Sequence, residues 1–263
     1  MKYLKLYFAY AKNSIMGKLV YKSNVFIGII GFLFTQGFSL LTLYLLINTV
    51  PTIDGYSIYE IGFLFGVTNM AIGIDHLFSD RLWTVAYHEV VRGKLDHLFL
   101  RPLPILFQII ASEIQLEALG ELIVAVALIA LCGNNLSIIL SFSSVLLIIA
   151  GIICGAVIFT SFKILIAGLA FVFKRSGALL QITYNFSQYT RYPLKIFPKA
   201  IQIILLFIIP LGLCLFVPFD HLFNPVMNPY ILMVIIVIIT LIFFVISLLM
   251  FNECAKKYES TGT

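Results

Sequence analysis

The sequence predicts an all-α polytopic membrane protein: six transmembrane helices in a single transmembrane domain over 1–263, which includes an amphipathic interfacial helix at its start. Three observations carry that prediction. The 263 residues are 61% hydrophobic and 11% charged, against about 25% charged for a soluble domain, and mean hydropathy is +1.07. Apolar runs of the roughly 20 residues needed to cross a bilayer recur along the chain. Basic residues gather between those runs. A soluble chain of this length cannot cover so much apolar surface, so lipid is the solvent for most of it.

The elements follow in order. In residues 1–22, Leu4, Phe8, Ala11 and Ile15 share one helical face, while Lys2, Lys5, Lys12 and Asn13 lie on the other. That pattern suits a helix lying in the headgroup region. No charge interrupts residues 23–53, which predicts span 1 over 24–48. Asp54 and Glu60 bracket a polar loop, and span 2 covers 58–80 with Asp75, His76, Asp80 and Arg81 near its end. A charged segment, 81–104, comes next. Span 3 is expected from Pro104 to 131, closed by the turn CGNNLS at 132–137. Span 4, over 138–173, would measure about 54 Å as a helix and must tilt, kink or project into water. Residues 174–198, with Tyr184, Tyr189, Arg191 and Tyr192 and ending in YPLKIFP, are expected to form a cytoplasmic or interfacial connection. Span 5 is placed at 199–218 and span 6 at 230–250.

Charge orients the chain. Five Lys precede span 1, four Lys/Arg separate spans 2 and 3, five separate spans 4 and 5, and two lie in the tail. All of these are expected on one side, which the positive-inside rule makes cytoplasmic, together with both termini. Orientation accounts for the net charge of +5, so no nucleic-acid partner is implied. Membrane lipid is the partner that composition implies.

The catalytic classes find little support. The Gly-Lys pairs at 17–18 and 93–94 are each followed by Leu, and neither completes G-x-x-x-x-G-K-[ST], so any ATP belongs to another chain. His76, His88, His97 and His221 are scattered without metal-ligand spacing, and Cys132, Cys154, Cys214 and Cys254 read as small core residues. Gly151 and Gly155, at G-x-x-x-G spacing, are expected to pack helices within the chain. Glu113, Glu117 and Glu121 recur every four residues and should stack on one face of span 3. Lys163 is the only basic residue inside an expected crossing, at a height where Glu117 or Glu121 would meet it across antiparallel helices. Intramembrane charges face a partner or a cavity. These four residues are therefore an interhelix pairing group or the lining of a transport path, and an ion-coupled secondary transporter remains the alternative they support.

The segment 81–104 is the sharpest motif. Read as a short helix, it puts Tyr87, Val90, Val91, Leu95 and Leu98 near one side and Glu89, Arg92 and Asp96 on another, with Pro102 and Pro104 ending it. Its run EVVRGKLDHLFLRPLPILFQ, residues 89–108, resembles the E-I-x-x-G-x-L-D-x-L-L-L-R-P-L…F-Q signature in a branch of the type-2 ABC exporter permeases, six-span subunits without an ATPase of their own. YPLKIFP resembles a second feature of that branch. Glu89, Gly93, Leu95, Asp96, Leu98, Arg101 and Pro102 match the motif. The resemblance implies that 81–104 is a cytoplasmic coupling helix docking on a separate ATP-binding subunit. Leu95 and Leu98 would be its docking residues, Arg92, Asp96 and Arg101 would supply rim pairs or hold its shape, and Gly93 would permit close approach. It also implies two ATP-binding subunits holding ATP and Mg²⁺, no cofactor on this chain, and a second permease subunit, preferably non-identical. The expected setting is the plasma membrane, with residues 1–22 as an elbow helix at its cytoplasmic face.

Overall fold

Long apolar runs become long helices, and charged or proline-bearing stretches become the breaks between them. The computed structural model describes residues 2–49, 52, 54–136 and 141–259, so Ser137 of the expected turn, residues 138–140 of span 4 and the last four residues of the tail lie outside the described residues. Helices α1 (Lys2–Val20), α2 (Lys22–Thr49) and α3 (Ile58–Ser79) come first. After α3 come α4 (Arg81–Thr84), a π turn at Val85–Glu89, and α5 (Asp96–Phe99). Then follow α6 (Ile105–Ala111), α7 (Leu119–Gly133), α8 (Phe142–Phe173), α9 (Gly177–Gln188), α10 (Lys199–Ile203), α11 (Leu211–Phe223) and α12 (Pro229–Ala255). Among the described residues, five helical stretches are long and apolar enough to cross a membrane: Lys22–Thr42, Ile58–Ser79, Leu116–Gly133, Phe142–Phe173 and Pro229–Ala255.

α3 is the central post. Its start is fixed by a capping box, in which the Glu60 amide donates to Ser57 Oγ and the Ser57 amide donates to Glu60 Oε2 at 2.7 Å. It packs antiparallel to α7, where Gly66 lets the backbone of Ile129 approach so closely that an added Cβ would sit 3.1 Å from its nitrogen. α8, 32 residues and about 48 Å long, packs along α3 and α12. Gly151 and Gly155 pack helices within the chain, as expected. A Cβ on Gly151 would lie 2.5 Å from the Cys214 carbonyl of α11.

Three expectations are corrected. Span 3 does not run unbroken from Pro104. The helix stops after Ala111 and resumes with a 3₁₀ turn at Leu116–Ala118 that leads into α7. The break holds because neighbours satisfy its backbone: the Ile114 amide donates to Ser14 Oγ (3.0 Å) and the Gln115 amide to the Leu77 carbonyl (3.0 Å). Glu113, Glu117 and Glu121 therefore do not form one stripe.

Span 5 is not a straight helix over 199–218. Lys199–Ile208 and Leu211–Phe223 meet at 104°. Pro210 removes a backbone donor and pushes Ile209 (φ −118°, ψ 77°) out of the helical region. Because α11 starts against the middle of α8 and ends beside Tyr56, just ahead of α3, the pair is a hairpin that enters the bundle and returns to the same end.

Residues 174–198 are not a connection along one end. Ser176 bonds the Ala86 carbonyl, Tyr184 packs on His76, Thr68 Oγ1 donates to the Thr190 carbonyl, and Arg191 lies over the Phe65 ring. Lys195 then reaches Asp220 at 3.5 Å, the carboxylate that accepts the Tyr56 hydroxyl. As residue numbers rise here, their α3 partners fall. The segment therefore runs antiparallel to α3 from one end of the bundle to the other and supplies the sixth traversal. Polarity hid it: Thr183, Ser187, Thr190 and Arg191 are buried against the bundle while Gln181 and Asn185 stay exposed, so no long apolar run marks the segment.

Candidate functional site

The end of the bundle that carries α1, residues 81–117 and the end of α12 is where the matched motif lies. Segment 81–104 is a folded knuckle of short helical turns. Gly93 (φ +63°) supplies the left-handed residue that turns the chain out of one turn and into α5, a conformation unfavourable for any residue with a Cβ. Leu95 (0% exposed) and Leu98 (2%) are buried with Leu82, Val85 and Val90 against Ile164, Ala167 and Phe171 of α8 and Phe251 of α12. The two expected docking leucines thus anchor the knuckle to the bundle. Leu100, 87% exposed, faces outward instead, and Phe99, packed on Tyr258 and Phe171, keeps an exposed edge at 36%, flanked by exposed Arg92, Lys94, His97, Arg101 and Pro102.

The remaining motif residues hold the knuckle's shape. Glu89 accepts from Arg81 Nη2 and Thr84 Oγ1, both at 3.3 Å, and Arg81 also donates to Ser112 beyond the segment. Arg101 Nη1 donates to Tyr10 of α1 at 3.2 Å. Asp96 accepts the hydroxyl of Tyr258 at 2.5 Å, and that ring stacks on Phe99 with centroids 4.6 Å apart. Burial, then the Asp96 carboxylate, push the Tyr258 hydroxyl above its ordinary value, so it stays a donor at physiological pH. Gln108, the last residue of the motif, is fully buried and donates from Nε2 to the carbonyls of Leu98 and Leu103, both at 2.9 Å.

The four charged residues expected to act as one group fall into three. Glu113 and Glu117 pair with Lys18 of α1 at 3.4 and 3.2 Å. Glu121, 2% exposed, lies 2.8 Å from His76 Nδ1, and its other oxygen accepts from Gln36 Nε2, whose own carbonyl accepts from Asn69. Lys163, also 2% exposed, is not the partner of Glu117 or Glu121. It bridges Asp75 at 2.7 Å and Asp80 at 3.1 Å. Asp75 further accepts from Ser79 and Thr160, tying α3 to α8.

Sequence reasoning missed four participants: Asp75 and Asp80 as the lysine's acids, Tyr258 as a clasp, and Arg191 inside the bundle. The first two carried a signal, since Asp75 and Asp80 sit at the end of α3 and the lysine lies near the matching end of α8. Chemically, the arrangement offers a rigid knuckle joined to three long helices and a set of buried charges that fix those helices to one another. A family model described as "ABC-2 family transporter protein" matches residues 33–262. No curated protein and no solved structure matches the chain.

Proposed function

This chain belongs to the ABC-2 family of transporter proteins, and we propose that it is the translocation-path subunit of an ATP-driven exporter whose ATP and Mg²⁺ are held on separate subunits. One observation carries the reading furthest: the knuckle 81–104 exposes Leu100 and Phe99 amid basic residues while its other leucines are buried against α8 and α12. An apolar centre with a charged rim is the usual form of a protein-docking patch. The bundle end that carries it is cytoplasmic, together with both termini.

The mechanism follows from that connection. A groove on an ATP-binding subunit takes Leu100 and Phe99, and Arg92, Lys94 and Arg101 meet acidic residues on its rim. When two ATP-binding subunits close on ATP, they move the knuckle. Because Leu95, Leu98 and Tyr258 fasten it to α8 and α12, those helices shift with it. ATP drives transport only through contacts that differ between the two arrangements. Two permease chains enclose the path, and the cargo is amphiphilic. The ion-coupled alternative loses support, because its four charges do not converge: Glu113 and Glu117 share Lys18, Glu121 meets His76, and Lys163 meets Asp75 and Asp80.

The test is a mild-detergent pulldown of tagged protein from native membranes, with Leu100→Asp beside the wild type. An ATP-binding subunit should accompany the wild type and fall at least about tenfold in the variant, the equivalent of 1.4 kcal/mol. Equal recovery with both proteins, or no such subunit even after crosslinking, overturns the docking assignment.

A further inference from the structure

Between α2, the start of α7 and the segment antiparallel to α3 lies a cavity of about 530 Å³, its polar groups supplied by Thr35, Gln36, Glu121, Tyr184, Gln188 and Arg191 among others. We propose that it is a binding site for an anionic group, a phosphate or carboxylate, received by Arg191 and Gln188. This goes beyond the docking of an ATP-binding subunit and does not depend on it.

The donors and acceptors of the cavity are unbalanced in one direction. Arg191 is 7% exposed, and its Nε is buried without an acceptor; Gln188 Nε2, one helical turn earlier, is also buried without one. Among the described residues Arg191 has no carboxylate within ion-pair distance, and its contact is the Phe65 ring, 4.8 Å from the guanidinium carbon. The ring steadies the guanidinium plane of a side chain that lines the cavity. A guanidinium carried into the interior is costly unless function retains it, and its forked donors match two oxygens of a carboxylate or phosphate.

Tyr184 and Glu121 lie near these donors, but neither forms an ion pair or a hydrogen bond with Arg191. Glu121 is engaged at both oxygens, by Gln36 Nε2 at 3.3 Å and by His76 at 2.8 Å. Thr35 and Ser39 donate their hydroxyl protons to carbonyls of their own helix, Gly31 and Thr35. Two side chains with orphaned donors, one of them cationic, line a roomy cavity whose one acid is occupied. That is the chemistry of an anion site. The anion is either the headgroup of a lipid-like molecule entering past the exposed face of α2 or a free solute.

Equilibrium binding to the detergent-purified full chain tests it, with no ATP-binding subunit present. The probes are fluorescent phosphatidylglycerol, fluorescent phosphatidylcholine and inorganic phosphate. Saturable binding of phosphatidylglycerol, about tenfold tighter than phosphatidylcholine, that is lost in Arg191→Gln and kept in part in Arg191→Lys, supports a lipid headgroup. Binding of phosphate with the same dependence on Arg191, and no preference between the lipids, supports a free anion. No anion preference in the wild type, or one unchanged in Arg191→Gln, overturns the site. Should Arg191→Gln fail to elute as folded protein, Gln188→Met decides: it keeps the cation, and weakened binding supports the site while unchanged binding overturns it.

Discussion

At the scale of single residues, the lysine inside α8 is the most demanding feature. Lys163 is desolvated and stays in the bundle because Asp75 and Asp80 surround its ammonium. Removing one partner of a buried ion pair costs about 3–5 kcal/mol, because the other charge is left behind, while removing both is often close to neutral. Lys163→Met should therefore lower the melting temperature of the purified protein sharply, and Lys163→Met/Asp75→Asn should recover most of the loss. Thermal unfolding in detergent checks this, and a double variant no better than the single one refutes the pairing. The need for a partner was legible in the sequence, because an intramembrane lysine demands one. Which acid answered it was not. Glu117 and Glu121 matched its height only on an unbroken span 3, and the break at Ser112–Gln115 removed that premise.

At the scale of elements, the knuckle shows how a local backbone requirement sets a functional surface. Gly93 holds a positive φ, so it decides where the chain turns and which side of α5 meets the bundle. As one continuous helix, Leu95 and Leu98 share the side expected to dock; with the turn at Gly93, they point inward and Leu100 points out. A Cβ at this position costs about 1–2 kcal/mol in the left-handed region. Gly93→Ala should thus reduce recovery of the ATP-binding subunit several-fold while lowering the melting temperature by only a few degrees. Parallel pulldown and melting measurements separate the two effects. Tyr258 was missed for a different reason: the tail reads as a short charged end, and nothing in its composition announces an aromatic ring stacked on Phe99.

At the scale of the whole molecule, the revised path of residues 174–198 changes where positive charge lies. Hydropathy identified α2, α3, α8 and α12 to within a few residues, because each keeps a long apolar run whether it is largely exposed, as α2 and α12 are, or buried, as α3 is. It cannot recognise a traversal as rich in polar residues as 174–198, nor tell a hairpin bent at Pro210 from a straight span. On the expected path, Lys195 sits with the other basic residues. On the observed path, it joins Asp220 and Tyr56 at the opposite end, against an excess that still favours the end carrying α1, Arg92 and Lys94. The two paths give opposite results in labelling. With the native cysteines Cys132, Cys154, Cys214 and Cys254 replaced by alanine, Lys195→Cys should react with a membrane-impermeant maleimide added outside intact cells. Lys94→Cys should react only after the membrane is opened. Both residues are exposed, so burial cannot explain a silent site. If both cysteines react only in opened cells, 174–198 stays on the cytoplasmic side and the sixth traversal belongs to the α10–α11 pair. If the pattern is as expected, the crossing that carries Arg191 spans the membrane, and its guanidinium lies within the bilayer interior.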